Sequence, residues 1–343
     1  MDRNVVLAKG QRMLRMVSAW YLAIAVAILA MVVLGGLVRL TGSGLSIVEW
    51  DLIMGAVPPL SQQHWDEVFA AYRQFPEYQM VNHGMSLSEF KFIFLMEYSH
   101  RLLGRLLGLM FMVPFVVFLM KRALSHQQIR ESVWLLFLGG SQGLMGWYMV
   151  KSGLVDVPRV SHFRLAAHLD LALIVFSLSL WLSWQAFFRS RSVLFRRTNV
   201  LGLGVLMALF IQITLGAFVS GLHAGHMFNT FPLMDQVWLP KAAWQLEPVW
   251  LNLVQNPIMI QFLHRSMAYF VTILVAVYSV WMIRKGFTRI GTAMSILLVL
   301  QVCLGIATLL KYVPLSLASA HQTVAFVLWA VVLFATHRAN KLG

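Results

Sequence analysis

The stretch VSAWYLAIAVAILAMVVLGGLV, residues 17–38, runs for 22 residues without a charged side chain. About 20 apolar residues of helix are enough to cross a bilayer, so this stretch predicts a membrane-spanning helix. Of all 343 residues, 59% are apolar and 12% are charged, which is about half the charged share of a soluble domain. This composition excludes a water-soluble enzyme, a disordered protein and a secreted disulfide scaffold.

Seven further apolar stretches complete the predicted fold class, an all-α polytopic membrane protein with eight transmembrane helices. The predicted spans are 17–38, 92–120, 132–151, 163–187, 199–220, 259–283, 290–311 and 316–336. An even number of spans puts both termini on one side, which carries sixteen basic residues against two acidic ones. The whole formal charge of +14 therefore lies on that side, which the positive-inside rule makes cytoplasmic. The charge reports topology and does not indicate nucleic-acid binding.

A short internal repeat divides the chain in two. The odd-numbered spans contain the related strings MVVLG (31–35), QGLMG (142–146), QITLG (212–216) and QVCLG (301–305), and each even-numbered span has a histidine near its start. Four crossings return the chain to its starting side, so the repeat predicts two parallel four-helix bundles related by a pseudo-twofold axis along the membrane normal. The glycines are also typical of closely packed membrane helices.

The repeat sets the predicted domain boundaries. They are a cytoplasmic tail at 1–16, an N-terminal half at 17–187 with an outer loop at 39–91, a basic cytoplasmic linker at 188–198, a C-terminal half at 199–336 with an outer loop at 221–258, and a second cytoplasmic tail at 337–343. Over 64–74, apolar residues recur every three or four positions, which predicts a short amphipathic helix along the outer interface. This helix either covers a site or only seals the surface.

Four histidines are the candidate ligands of a prosthetic group: His100, His168, His264 and His321. Each lies about five to eight residues from the outer end of its span, so all four are expected at one depth near the outer face. Two histidines that face each other within a four-helix bundle supply both axial ligands of a haem iron. The alternative is that each histidine only forms a hydrogen bond between helices.

Arginines beside the histidines fit the same interpretation. Arg101 and Arg105 follow His100, and Arg265 follows His264. Arginine suits bidentate binding of carboxylates, so these three residues are candidates to bind haem propionates. The alternative for Arg101 and Arg265 is that they reach out to the interface.

The two halves differ at one position. Glu97 lies one turn before His100, whereas Gln261 holds the equivalent place in the second half. A carboxyl group in a span is costly unless it is paired or used. The N-terminal site is therefore predicted to perform chemistry and the C-terminal site to hold a permanent haem. A structural salt bridge from Glu97 to Arg101 or Arg105 is the alternative.

The remaining candidates are weaker. His162, in the short outer loop, is a candidate to contact a propionate, although its spacing does not require this role. His223 and His226 form an HxxH without a third ligand, so no metal other than haem iron is expected. His337, at the C-terminal end, is expected to be solvated. The single cysteine, Cys303, excludes an intramolecular disulfide and is expected to be a small buried hydrophobe.

Nine short motifs follow one another along nearly the whole chain. They are GGLVRLTGSGLS (35–46), the loop with Pro58 and Pro59, PEY (76–78), EFK (89–91), EYSHRLLGR (97–105), LAAHL (165–169), FNTFPLM (228–234), FLHR (262–265) and AHQ (320–322). Their order resembles the haem A synthase family. Some bacterial members carry cysteine pairs in both outer loops, which this chain lacks. It is therefore most similar to the cysteine-free branch shared by many bacteria and mitochondria.

The resemblance implies an oxidoreductase that converts the C8 methyl group of haem O, through the alcohol, to the formyl group of haem A for cytochrome oxidase. It implies that His100 and His168 hold the substrate haem and that Glu97 is the essential carboxylate. His264 and His321 are the implied ligands of a haem b cofactor.

The implied partners are haem O synthase, cytochrome oxidase assembly factors and an unidentified electron acceptor or donor. The expected location is a bacterial plasma membrane, because no transit-like segment precedes the first span. In this orientation the haem sites lie near the outer face.

Two other functions fit the residues less well. A dihaem b-type cytochrome that moves electrons across the membrane needs haems stacked from one face toward the other, whereas all four histidines are expected near the outer face. A transporter with parallel repeats predicts broken helices with charges near the midplane, and the sequence has no such pair.

Overall fold

The computed structural model describes residues 3–48, 57–154, 160–188 and 200–339. Within these ranges the chain forms α-helices joined by turns and short 3₁₀ segments. The α-helices are α1 (Arg3–Leu40), α2 (Gln62–Tyr72), α3 (Pro76–Met80), α4 (Leu87–Met120), α5 (His126–Gly153), α6 (His162–Phe188), α7 (Val200–Gly221), α8 (Asn252–Gln255), α9 (Pro257–Arg284), α10 (Thr288–Leu310) and α11 (Leu315–Ala339). The predicted linker 188–198, apart from its first residue, lies outside the described residues.

Each of the eight predicted spans is a helix, and seven of these helices are long and apolar enough to cross a membrane: α1, α4, α6, α7, α9, α10 and α11. The eighth, α5, has 28 residues but falls short of the apolarity of the others. Ser141 and Gln142 lie within its length and lower its hydropathy. The crossing of α5 therefore stays a prediction.

Local sequence explains where several helices begin. Ser86 and Glu89 form a reciprocal capping box at the start of α4, and Ser125 and Gln128 form another at the start of α5. Asn256 caps α9, whose first residue is a proline with no N–H to satisfy. The capping box starts α4 at Leu87, five residues before its predicted apolar span. Hydropathy alone did not reveal this extra turn.

The core of the bundle joins helices from both predicted halves. α1 packs against α4, α6 and α11, while α7 packs against α6, α9 and α11. Side chains without exposed surface, such as Tyr21, Leu173, Val275 and Val332, fill the space between them. The Tyr21 hydroxyl also hydrogen-bonds the Ser132 hydroxyl over 2.7 Å, which ties α1 to α5. These contacts hold the four candidate histidines on a common framework.

Two expectations about single residues are wrong. His337 was expected to be solvated, but it is fully buried with its ring against Trp181 and Trp184, because α11 continues through it and packs there on α6. Cys303 was expected to be buried, but it is exposed on α10, on a side of the helix that no other described helix covers.

The predicted amphipathic helix in the first long loop is α2. Its residues Phe69 and Tyr72 pack on Phe90 and Phe94 of α4, and Trp65 meets Phe94 edge to face with ring centroids 5.1 Å apart. This small aromatic core fixes α2 on the first turns of α4, immediately before Glu97 in the chain.

Candidate functional site

Each glycine of the internal repeat faces a histidine on the membrane helix that follows it. A methyl group added to any of these glycines would lie closer to the imidazole ring than the usual 3.5–4.0 Å between carbon atoms. The distance from that methyl to the nearest ring atom is 2.9 Å for Gly35 and His100, 3.1 Å for Gly146 and His168, 3.3 Å for Gly216 and His264, and 2.8 Å for Gly305 and His321. The glycines thus leave room for the rings, a contact that the sequence interpretation of close helix packing had missed.

A glutamine lies one turn before the glycine at three of the four positions. Each side-chain nitrogen is near the ring of the facing histidine, and each side-chain oxygen is buried without a hydrogen-bond partner among the described residues. The distance from Nε2 to the nearest ring nitrogen is 3.3 Å for Gln142 and His168, 3.2 Å for Gln212 and His264, and 3.5 Å for Gln301 and His321. At the fourth position Met31 replaces the glutamine.

The four histidines form two pairs. His100 and His168 are close enough to interact electrostatically, and so are His264 and His321. These are the pairs that the sequence assigned to the first and second half. The partners come from α4 and α6 in the first half and from α9 and α11 in the second.

The positions of the histidines along their helices are less uniform than expected. His168 and His321 are the seventh residues of α6 and α11, and His264 is the eighth residue of α9. His100 is the fourteenth residue of α4, because this helix extends beyond its apolar span. The extra turns of α4 are the ones that pack on α2.

Glu97 is held by a dense set of donors. Its Oε2 atom accepts hydrogen bonds from the Ser46 amide at 2.8 Å, the Ser46 hydroxyl at 2.7 Å and the Ile47 amide at 2.9 Å. Its Oε1 atom accepts from Nη2 of Arg101 at 2.5 Å. Only 3% of its surface is exposed. The salt bridge that the sequence left as an alternative is therefore present, with Arg101 as the partner.

The second half repeats this arrangement with an uncharged amide in place of the carboxylate. Gln261, in the place of Glu97, donates to the carbonyl of Phe228 over 2.9 Å. Arg265, in the place of Arg101, donates from Nη2 to the carbonyls of Thr230 and Pro232 at 2.9 and 2.7 Å. In both halves this pair ties the loop after the preceding glycine helix to the histidine helix.

Buried polar atoms near the histidines remain without partners among the described residues. They include Nδ1 of His168 and of His321 and Nη1 of Arg265, besides the three glutamine oxygens. A buried polar group without a partner costs free energy. Such a cluster fits a bound group that brings a metal ion to the histidine nitrogens and a carboxylate to the arginine. The donor set of paired imidazoles and arginine fits haem. Arg105, the third candidate for a propionate, lies partly buried one turn after Arg101.

Several polar contacts between the two halves were not predicted. Asp170, two residues after His168, accepts a hydrogen bond from the Thr214 hydroxyl at 3.0 Å. Arg39 donates from one nitrogen to the Ser220 carbonyl at 2.7 Å and to Nε2 of His223 at 3.0 Å. An acidic residue within a span was the available signal for Asp170, but its partner is visible only in the tertiary structure.

Two further contacts also cross between the halves. Gln322, next to His321, donates to the Val32 carbonyl of α1 at 2.7 Å. The His162 ring contacts the Val254 carbonyl at 2.7 Å. Both contacts therefore join the two predicted halves.

The first long loop contains a second buried carboxyl group, which sequence reasoning had not singled out. Glu77 of α3 is 7% exposed, and burial, together with the charge of Glu97, raises its pKa to about 8. The Tyr72 hydroxyl interacts with this carboxyl group and accepts a hydrogen bond from Asn82 at 2.7 Å. At neutral pH Glu77 therefore carries a proton.

Comparison with known proteins shows similarity over nearly the full chain. A model of the COX15-CtaA family, described as cytochrome oxidase assembly protein, matches residues 18–333. A protein of Nitrosospira multiformis named heme A synthase is 44% identical over 336 residues, which cover 95% of this chain and 94% of the relative. A protein of the same name from Parvibaculum lavamentivorans is 42% identical over 326 residues, with the same two coverages. A third, from Bradyrhizobium diazoefficiens, is 44% identical over 94% of this chain and 91% of the relative.

Proposed function

We infer the function of this chain from its family: the chain belongs to the COX15-CtaA family of cytochrome oxidase assembly proteins. Its curated relatives carry the name haem A synthase and align with it over nearly its whole length. The function proposed is the reaction of that name, in which an oxidoreductase converts the C8 methyl group of haem O to the formyl group of haem A.

The fourfold contact between glycine and histidine supports this function most directly. Four imidazoles occupy equivalent places in two halves, and they form two pairs. Two imidazoles on opposite sides of a haem are a common way to hold its iron. A bound haem supplies redox-active iron, and haem O brings the methyl group to be oxidised.

The asymmetry between the halves supports a different role for each. His100 and His168 are the proposed ligands of the substrate haem, since Glu97 lies in this half. His264 and His321 are the proposed ligands of a haem b cofactor, where neutral Gln261 replaces the carboxylate. A neutral amide gives the second site no group that can take up a proton, which suits a haem that only exchanges electrons.

Glu97 is the proposed catalytic residue. Three donors from the 46–47 segment fix Oε2, and Arg101 holds Oε1. These hydrogen bonds hold the carboxyl group in one orientation. Among the contacts of the described residues, Oε1 accepts only from Arg101, so its second lone pair is available to a water molecule or a proton. Oxidation of a methyl group releases protons, and Glu97 is placed to accept or direct one of them.

The arginines are the proposed partners of the haem propionates. Arg265 uses Nη2 for the loop carbonyls and keeps Nη1 buried without a partner among the described residues. Arg101 and Arg105 lie on α4, in the first half, where Arg101 is the counterpart of Arg265. A propionate carboxylate near these groups would gain charge-assisted hydrogen bonds.

The topology proposed for this function has eight spans in two parallel four-helix bundles, with both termini in the cytoplasm. The composition of α5 alone does not identify it as a membrane span. However, α5 packs along α6 and places Gly146 against His168, as the glycine helices of the other three repeats do with their histidines. Eight crossings also keep all of the basic loops on one side, whereas seven would divide them. The haem sites then face the outer side of a bacterial plasma membrane.

This arrangement implies a set of partners. Haem O is the substrate, and its farnesyl tail favours delivery within the bilayer, directly from haem O synthase. An electron acceptor or donor completes the oxidation. Neither a dihaem cytochrome that spans the bilayer nor a transporter is favoured by the family to which the chain belongs.

The test is conversion of haem O in cells. The chain is expressed in a host that makes haem O but no haem A, and the extracted haems are separated by chromatography and identified by mass. We expect haem A in cells with the wild-type chain, and little haem A in cells with His100→Ala or His168→Ala. Unchanged haem O in cells with correctly folded wild-type protein would contradict the proposed reaction.

A further inference from the structure

We propose that His100 is the exchangeable ligand of the substrate haem, because it is the one candidate histidine that has no glutamine amide beside its ring. The inference deepens the proposed function and rests on it, since it takes the four histidines as ligands of haem iron. It explains why the internal repeat keeps its glycine at all four positions but its glutamine at only three.

Two of the three glutamines also bond the backbone of the histidine that they face. Gln142 donates from Nε2 to the His168 carbonyl at 2.9 Å, and Gln212 does the same to the His264 carbonyl at 3.2 Å. The amide of each is thereby fixed beside the imidazole. The amide oxygen is buried in both cases and has no other partner among the described residues.

A fixed amide matters once an imidazole binds iron. One ring nitrogen then coordinates the metal, and the other carries an N–H that needs an acceptor. An amide oxygen is such an acceptor. In Gln142 and Gln212 a half-turn of the side-chain amide would bring Oε1 beside the ring in exchange for the bond that Nε2 donates to the histidine carbonyl. An acceptor that bonds the non-coordinating N–H fixes the orientation of the imidazole and raises the basicity of the imidazole. Loss of such an acceptor weakens metal binding about 10- to 100-fold.

Met31 offers no comparable acceptor at the fourth position. Its thioether sulfur is only a weak acceptor. Its terminal methyl lies 3.6 Å from a methyl group added to Gly104, so the Met31 side chain packs on α4 one turn after His100. Within the described ranges, the His100 ring makes no hydrogen bond to a side chain.

The difference suits the two tasks of the protein. A cofactor haem has to stay, and both of its proposed ligands, His264 and His321, have a glutamine. A product haem has to leave after each reaction, and its site pairs the supported His168 with the unsupported His100. We therefore expect the bond to His100 to break first during substrate exchange.

The experiment measures haem transfer rather than turnover. Purified protein with both sites loaded is mixed with an excess of apomyoglobin, and the loss of each haem is followed by absorbance and by extraction. In the wild type, haem of the first half should transfer at least ten times faster than haem b. Met31→Gln should slow this transfer about 10- to 100-fold, whereas the control Met31→Leu, which adds no acceptor, should leave it unchanged.

A reverse variant covers the case in which Met31→Gln does not fold. Gln212→Met should speed the loss of haem b about 10- to 100-fold and leave the first half unchanged. Equal transfer rates in Met31→Gln and Met31→Leu, or no faster loss of haem b in Gln212→Met, would overturn the inference while the histidines remain ligands. An unchanged haem content of the first half in His100→Ala would instead overturn the proposed function of this histidine.

Discussion

The substitution Gly305→Ala places a methyl group in the closest of the four contacts between glycine and histidine. The added carbon would lie 2.8 Å from Cε1 of His321, whereas two carbon atoms prefer about 3.5–4.0 Å. The imidazole or helix α10 must therefore move by about 0.7–1.2 Å. Overpacking of this kind costs about 1–3 kcal/mol, and every 1.4 kcal/mol is a factor of ten in affinity. We expect the affinity for haem b to fall about 5- to 150-fold.

The matched control is Gly204→Ala, on helix α7. A methyl group added there meets nothing within 4 Å, and alanine is a better helix former than glycine by about 1 kcal/mol. Gly216→Ala, on the same helix, is an intermediate case, because its methyl would lie 3.3 Å from the His264 ring. Haem b affinity should thus decrease in the order Gly204→Ala, Gly216→Ala, Gly305→Ala.

The assay is the ratio of haem b to protein after purification, together with the rate of haem b transfer to apomyoglobin. Thermal unfolding of the same samples separates loss of haem from loss of the fold. If Gly305→Ala kept its haem b as firmly as Gly204→Ala, the glycines would not be making room for ligand rings.

Three further predictions concern buried polar groups. Glu97→Gln should keep haem b but lower haem A formation about 10²- to 10⁴-fold in extracted cells, and full activity would remove Glu97 from the mechanism. Burial raises the pKa of Glu77 from 4.5 to about 8, so the folded loop binds this proton more tightly than the unfolded loop. The stability of the loop should therefore fall as the pH rises from about 4.5 to about 8 and then level off. Limited proteolysis of the loop across this range checks the prediction, and Glu77→Gln should remove the pH dependence; an identical pH profile in the variant would refute it. Thr214→Val takes a hydrogen bond from half-buried Asp170 and should lower stability by about 1–3 kcal/mol in thermal unfolding, whereas an unchanged midpoint would show that the contact is dispensable.

Much of the fold was predictable because membrane-spanning helices are recognised by their apolar composition. A run of apolar residues long enough to cross a bilayer has few other stable structures, and the spans were found to be helices. The helix ends were less certain. α1 extends back to Arg3 through basic residues that hydropathy cannot assign to a span. The early start of α4 is explained by the capping box of Ser86 and Glu89 that the structure shows.

The residues of the candidate site were proposed from the sequence, whereas most of their contacts were not. Spacing along one helix offered an ion pair of Glu97 with Arg101 or Arg105 as an alternative, and the structure has the pair with Arg101. The bonds from Ser46 and Ile47 to the same carboxylate could not be foreseen, because these residues lie about fifty positions earlier in the chain. Contacts over such distances depend on how a loop folds back, which no local pattern encodes.

The repeat illustrates the same limit. Its order of glycine helix and histidine helix pointed to two equivalent halves. Helix proximity alone, however, did not reveal that each glycine faces the imidazole itself. The bond of Asp170 to Thr214 likewise needs the packing of α6 on α7, two helices that belong to different predicted halves.

The most direct test of the account is the identity of the haem in each half. Wild type, His100→Ala and His264→Ala are purified in detergent from cells that make haem O, and their haems are extracted and identified by mass. The account predicts haem B together with haem O or haem A in the wild type, haem B alone in His100→Ala, and only haem O or its oxidised products in His264→Ala. Haem B in both halves, or an unchanged haem content in either variant, would contradict it.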